Sequence, residues 1–143
     1  MADADANKVE FELVSPERLL VSQAVDMVVV PGEEGDFGVL PGHALVMSQL
    51  RPWVVEIYEG DAVTDRVFVA GGFAEVTPRR CTVLAEEALA LNDVGRDKAA
   101  SRLSDANQAV EDARNDDERA RAESEQVIAA ALVEALDYYK IAT

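Results

Sequence analysis

The sequence has one cysteine, one histidine and one tryptophan, and it is short of positive charge: 13 lysines and arginines stand against 28 aspartates and glutamates, a formal net charge of −15. Each scarcity excludes something. A single thiol, Cys81, allows neither an internal disulfide nor a thiol metal cluster within one chain. It stands in RRCTVLAEE, a strand-like stretch with no second catalytic group close in sequence. That setting predicts a buried, inert core thiol rather than a nucleophile. The shortage of Lys and Arg excludes nucleic acid, whose phosphates need clustered cations, and direct adsorption to anionic lipid. Two readings of the charge remain: self-repulsion that keeps an acidic protein dispersed, or complementarity to a basic protein partner.

Long apolar runs are missing too. The longest uncharged stretch, Phe37 to Leu50, is too short to span a bilayer and contains Gly38, Pro41 and Gly42. The amino-terminal MADADANK has no positive patch ahead of an apolar core, as a secretory signal requires, and its acidity is wrong for an organelle transit peptide. These features predict the cytoplasm or another internal aqueous phase.

What is present is a core. Hydrophobic residues make up 49% of the chain, enough to pack rather than stay disordered. The length suits one domain, or a domain with an appendage. Residues 9 to 85 alternate with period two in short bursts. VEFEL puts Val9, Phe11 and Leu13 on one face and Glu10 and Glu12 on the other. AVDMVVV ends in a β-branched run at Pro31, which predicts a strand buried on both faces. WVVEIYEGDAVTDRVFVAGG reads as strand, turn and strand about Glu59-Gly60-Asp61, and FAEVTPRRCTVLAEE repeats the theme about Pro78. Short strands with no helix between them predict an antiparallel sandwich or flattened barrel, with Trp53, Phe68 and Phe73 in its core.

From Leu91 the period changes. Ala99, Leu103, Ala106, Val110 and Ala113 recur at helical spacing, with Asn92 or Asp93 placed to cap the helix and Asp93 and Asp97 at the positive end of its dipole. Arg114 to Asp117 interrupt the stripe. A second helix follows from about Glu118, with Val127, Ala131, Ala135 and Tyr138 on one line and Ile128, Leu132, Leu136 and Tyr139 beside it. Alanine-rich stripes let two antiparallel helices approach closely. An isolated pair with so small a seam is marginal in water, so the hairpin must lean on the sandwich or on another protein.

One stretch concentrates backbone freedom and acid. PGEEGDFGVLPGHALV, Pro31 to Val46, holds four of the eight glycines, two of the five prolines and His43, the only histidine. It has no lysine and no following helix, so neither phosphate-binding glycine motif is met. Glu33, Glu34, Asp36 and His43 are too poor a set for a metal centre, and no serine stands at a nucleophile elbow beside His43. No catalytic residue and no metal ligand is assigned. Turns with positive φ explain the glycines. The prediction is a rigid loop that displays Glu34, Asp36 and His43 for recognition. His43 itself is either an interface residue or a turn residue bonded to a backbone carbonyl.

VVVPGEEGDFGVLPGHA, then VFVAGGFAEVTPRRCTVLAEEA, then two charged alanine-rich helices resemble the epsilon subunit family of F-type ATP synthases, called delta in mitochondria. The resemblance covers residues 9 to about 140. It implies an α+β chain: a flattened antiparallel β-sandwich of about ten strands over residues 1–90, then an antiparallel two-helix hairpin over 91–143. It implies a non-catalytic rotor subunit of the central stalk, coupling the proton-driven c-ring to the gamma subunit during ATP synthesis. It places the chain, without membrane insertion, on the cytoplasmic face of the bacterial inner membrane. The family's ring-facing loop matches Glu34, Gly35, Asp36, Phe37 and Gly38, with His43 close behind. There, held acids would meet Arg-bearing loops of the c-ring.

Some family members bind ATP as a regulatory ligand at the start of the helices. The matching NDVGRD keeps Asp93 and Arg96, which alternatively serve as a helix cap and a solvated or locally paired cation. Inhibitory members bring basic residues of the second helix against the alpha and beta subunits of the catalytic head. Here Glu118 to Thr143 carries three bases and five acids, which predicts weak or absent inhibition. The rival reading from composition alone is a stand-alone β-sandwich that binds a ligand or acts as an adaptor.

Overall fold

The computed structural model describes residues 7–142; most of the acidic start discussed above lies outside them. The chain divides into two compact units, residues 1–90 and 91–143.

The described residues of the first unit form ten strands: β1 (Val9–Val14), β2 (Leu19–Val25), β3 (Met27–Gly32), β4 (Gly35–Val39), β5 (Val46–Leu50), β6 (Trp53–Glu59), β7 (Ala62–Val69), β8 (Gly72–Val76), β9 (Arg80–Ala85) and β10 (Ala88–Ala90). Their order is β10-β7-β6-β3-β5-β8-β9-β1-β2, with β4 pairing β3 off this path. β3 and β5 share only the bridge Gly32↔Leu50. The sheet folds over at that junction, and side chains of both layers meet in one core: Phe11, Leu13 and Val83 from one side, Val28, Val30, Val55 and Ile57 from the other. Alternation dictates the facing. Val9, Phe11 and Leu13 are buried while Glu10 is exposed, as period two requires.

The pairing is antiparallel with one exception. β1 lies parallel to β9, Glu10↔Arg80 to Val14↔Leu84. These strands sit at opposite ends of the unit's sequence, so no turn joins them and no local pattern announces their direction. The run AVDMVVV is not one strand. It breaks at Asp26 between β2 and β3, because the Asp26 carboxylate turns to accept from Lys8 and from the Gly60 N–H. The two expected hairpins are present. Gly60-Asp61 is a two-residue loop with Gly60 at φ 62, the first-position glycine of a II′ turn. Thr77 and Arg80 close the other, with the Thr77 N–H 2.8 Å from the Arg80 carbonyl. Gly72 has a stricter role: a Cβ there would lie 2.1 Å from the Leu84 carbonyl oxygen, so β8 and β9 can pair in this register only through glycine.

Phe68 is fully buried and Trp53 is half-buried, but Phe73 is 40% exposed, against the expectation that all three are core. It shares its side of β8 with Glu75, while Ala74 and Val76 face inward.

The second unit is a hairpin of α1 (Arg96–Asp112) and α2 (Asp116–Tyr138). Asn92 and Asp93 do not cap α1; they belong to a short 3-10 turn, Leu91–Asp93, and the N-cap is Gly95 with no side-chain bond. Glycine is tolerated at this position, and Asp97 supplies the first-turn acid. α2 begins two residues earlier than expected because Asn115 caps it, its side chain accepting from the Glu118 N–H at 2.8 Å. The buried line on α2 is Ala122, Ala129, Leu132 and Leu136 with Ala135, whereas Val127 and Tyr138 are exposed. A 3.6-residue period leaves several adjacent lines open, and the smallest side chains decide which one meets α1. Arg102 bonds Glu125 through Nε at 2.6 Å, and Gln126 bonds Asn107 at 2.8 Å, fixing the antiparallel register.

Candidate functional site

The stretch expected to be a loop is a strand hairpin. β3 and β4 pair from Val28↔Val39 to Gly32↔Gly35, leaving Glu33-Glu34 as a two-residue turn. Two glycines make it possible. A Cβ on Gly32 would lie 2.8 Å from the Gly35 carbonyl oxygen and 3.0 Å from the Phe37 ring, and Gly35 adopts φ 142, which side-chain-bearing residues rarely enter. Phe37 turns inward against the sandwich core. Glu33, Glu34, Gly35, Asp36 and Gly38 are exposed.

The base of this hairpin is tied to the end of β5. The Glu33 N–H donates to the Gln49 carbonyl at 2.9 Å, and the Arg51 N–H donates to the Pro31 carbonyl at 3.0 Å. The Arg51 side chain adds two bonds, Nη1 to the Gly32 carbonyl at 2.7 Å and Nη2 to Asp36 Oδ1 at 2.6 Å. Asp36 is therefore not a free display acid; its charge is met inside the chain. Glu33 and Glu34 make no ion pair among the described residues and project from the turn. Arg51 was not singled out from the sequence. The available signal was a lone cation at a strand end facing an acidic turn, but the contact needs the Gly32↔Leu50 register, which periodicity does not supply.

His43 follows the Pro41-Gly42 turn, where Gly42 takes φ 84 and its N–H donates to the Pro78 carbonyl at 2.7 Å. His43 Nδ1 lies 2.7 Å from the Ala44 carbonyl oxygen, and its ring is 6.3 Å from that of Phe37. The imidazole is thus bonded to a backbone carbonyl of its own turn. Nothing in this arrangement pairs a nucleophile with a base. Cys81 is buried, and burial pushes its thiol up to about 12, far from the thiolate a nucleophile needs.

A second surface emerges from register. Phe73 pairs Leu84, Leu84 pairs Val14, and Val14 pairs Leu19. Partners in a ladder share a face, so these four side chains form one apolar row across β8, β9, β1 and β2. Phe73, Leu84 and Leu19 are exposed. A contiguous exposed apolar row marks a contact surface more often than a scattered leucine does.

Asp93 and Arg96 belong to the other unit. Asp93 is exposed in the 3-10 turn. Arg96 donates to three oxygens at the end of α2: Asp137 Oδ1 at 2.6 Å, the Leu136 carbonyl at 3.0 Å and the Ile141 carbonyl at 2.5 Å. Of the two alternatives for Arg96, the local pairing is the one observed.

Comparison with known proteins gives a consistent answer. The family model described as "ATP synthase, Delta/Epsilon chain, beta-sandwich domain" matches residues 8–91. The chain is 51% identical over 130 residues to an ATP synthase epsilon chain of Rhodospirillum rubrum, spanning 91% of this chain and 97% of that one. It is 49% identical over 131 residues to the epsilon chain of Paramagnetospirillum magneticum, spanning 92% and 98%. Among solved structures, a chain in the cryo-EM structure of the Euglena gracilis mitochondrial ATP synthase, OSCP/F1/c-ring in rotational state 1, aligns with TM-score 0.77 and 27% identity over 91% of this chain and 82% of that one. A chain of the Tetrahymena thermophila mitochondrial ATP synthase central stalk/c-ring shares the fold, with TM-score 0.63 at 14% identity over 90% and 98%.

Proposed function

The chain belongs to the ATP synthase delta/epsilon family, and from that premise we propose that its sandwich joins the proton-driven c-ring to the gamma subunit through two separate surfaces. It is a non-catalytic rotor subunit of the central stalk, so its task is mechanical: to transmit torque without slipping. That reading replaces the stand-alone ligand-binding sandwich.

The turn at Glu33-Glu34, with Gly35, Asp36, Phe37, Gly38 and His43 shaping and backing it, is the surface for the polar loops of the c-ring. The observation that carries this assignment is the locked acidic turn itself: two unpaired carboxylates held by glycine geometry and by Arg51. Fixed opposite charges set partner choice and register more than raw affinity. The apolar row of Phe73, Leu84, Val14 and Leu19 suits gamma, since a torque-bearing contact of about 800 Å² per partner needs an apolar centre. Residence at the cytoplasmic face of a bacterial inner membrane follows from these partners. Among the described residues no helix is long and apolar enough to cross a membrane.

The helical unit plays the smaller part. Arg96 is engaged by α2, so a nucleotide phosphate near Asp93 and Arg96 would have to displace Asp137. Contact of α2 with the alpha and beta subunits would be opposed by its own excess of acids. We therefore assign the hairpin a weak regulatory role at most.

Pull-down of the tagged chain from solubilised membranes tests the assignment. Recovery of gamma together with ring subunits is expected; recovery of neither would end it.

A further inference from the structure

We propose that Arg51 is a positioning residue: it fixes the Glu33-Glu34 turn for a cationic partner and cancels the charge of Asp36, so that the turn glutamates carry the recognition. The inference rests on the reading of this turn as the ring-facing contact.

The turn is flanked by glycines on both sides, Gly32 and Gly35. Such a segment has more conformational freedom to lose than any other, and a recognition element must be ordered before it binds. The restraint comes from outside the hairpin. Arg51 reaches the main chain before the turn, at the Gly32 carbonyl, and the side chain after it, at Asp36 Oδ1, and so closes a ring across the turn's base. Its own N–H is anchored on the Pro31 carbonyl, which fixes where the fork starts. A planar guanidinium spans two acceptors at once; a lysine ammonium is a point donor and does not reproduce the fork. Charge follows from the same contacts. Of the three acids in the hairpin, Asp36 is neutralised by Arg51, which leaves Glu33 and Glu34 to present net negative charge outward.

The test combines two measurements on the full chain. The first is backbone amide exchange over residues 33–36 of the isolated protein, for wild type, Arg51→Gln, Arg51→Lys and Asp36→Asn. The second is proton pumping per ATP hydrolysed in everted vesicles carrying the complete synthase, for Arg51→Gln, Glu34→Gln and the double variant. Loss of the fork is expected to speed exchange across the turn about tenfold in all three variants, the lysine included, while the melting temperature of the sandwich stays close to wild type. Coupling is expected to fall about threefold in each single variant, and the double is expected to be no worse than the poorer single, because both act through one contact. Unchanged exchange in Arg51→Gln would overturn the positioning role. Losses that multiply in the double variant would overturn it as well, since a residue that merely stabilises the fold acts independently of Glu34. Full coupling by Glu34→Gln would instead overturn the ring-facing reading and the recognition half of the inference, while accelerated exchange would still establish Arg51's hold on the turn.

Discussion

Arg96, in the first turn of α1, and Asp137, in the last turn of α2, are hydrogen-bonded at 2.6 Å across 41 residues of chain. The bond belongs to a larger cap. Just past the Tyr139 cap of α2, Lys140 takes φ 56, with the Lys140 N–H on the Asp137 carbonyl at 3.2 Å and the Ile141 N–H on the Leu136 carbonyl at 2.9 Å. That is the Schellman arrangement, with a lysine where glycine is usual. Arg96 holds the carbonyls of Leu136 and Ile141 on either side of the strained residue. The Asp137 side chain is 65% exposed, so its ion pair contributes little, and the two carbonyl bonds matter more. Arg96→Ala should therefore weaken the end of α2 by about 1–2 kcal/mol, read as faster amide exchange over residues 136–141, and Lys140→Gly should recover about 1 kcal/mol. Magnesium–ATP should leave the melting temperature of the chain unchanged. A rise that Arg96→Ala abolishes would make Arg96 a phosphate ligand instead.

Leu84 stands in the exposed apolar row, opposite both Phe73 and Val14. A charge there is solvated in the free chain and stranded in an apolar contact. Leu84→Glu should leave the denaturation midpoint within about 0.5 kcal/mol of wild type and cut co-purification of gamma by tenfold or more. Co-purification at the wild-type level would remove this row from the stalk contact.

Lys8 Nζ lies 2.7 Å from Asp26 Oδ1 and 3.7 Å from Glu59 Oε2. The bond from Lys8, and after it the Gly60 N–H, hold the Asp26 carboxyl below its ordinary range, and Asp26 in turn raises Lys8. A carboxyl depressed on folding adds stability above its unfolded pKa and loses it as pH falls through the folded value; a raised lysine adds stability below its unfolded pKa and loses it as pH climbs through the folded one. The pair thus contributes across the neutral window and fades at both ends. Asp26→Asn should lower the urea midpoint at neutral pH, and the gap to wild type should close as the solution is acidified below about pH 4. A gap independent of pH would mean that the break between β2 and β3 does not depend on this charge.

The strands were legible where alternation is local. Val9, Phe11 and Leu13 point inward as their spacing requires, and the turns at Gly60-Asp61 and Thr77-Arg79 fall where glycine and proline place them. Phe73 was legible too: Ala74 and Val76 form the inward set of β8, which sends Phe73 outward beside Glu75, and only the habit of burying aromatics argued otherwise. What the sequence could not supply were contacts across register. The parallel β1–β9 pair, the Arg51 clamp and the choice of buried line on α2 each depend on which residues face one another after the chain has folded over. Composition and glycine spacing single out the acids of this turn; that Asp36 is internally paired they do not show, because its partner lies 15 residues away, between β5 and β6.

The charge of α2 makes a last prediction about the complete synthase. Docking of a helix onto an acidic surface gains from opposite charge and is opposed by like charge, and Asp116, Asp117 and Glu118 crowd the first turn of α2. Arg114, just ahead of the helix, is bonded to Glu118 at 3.1 Å, and its guanidinium holds the Glu118 carboxyl below the usual carboxylate range. With Arg119 and Arg121 counted as well, the amino-terminal end of α2 offers an acidic target no net positive charge: three bases stand against Asp116, Asp117 and Glu118. Removing residues 91–143 cuts at the boundary between the two compact units and removes no residue of the sandwich core, which is drawn wholly from residues 9–88. ATP hydrolysis by synthase assembled with the truncated chain should stay within about twofold of wild type, a difference of ~0.4 kcal/mol in barrier height. A tenfold activation would mean that the hairpin reaches the catalytic head through contacts other than its net charge.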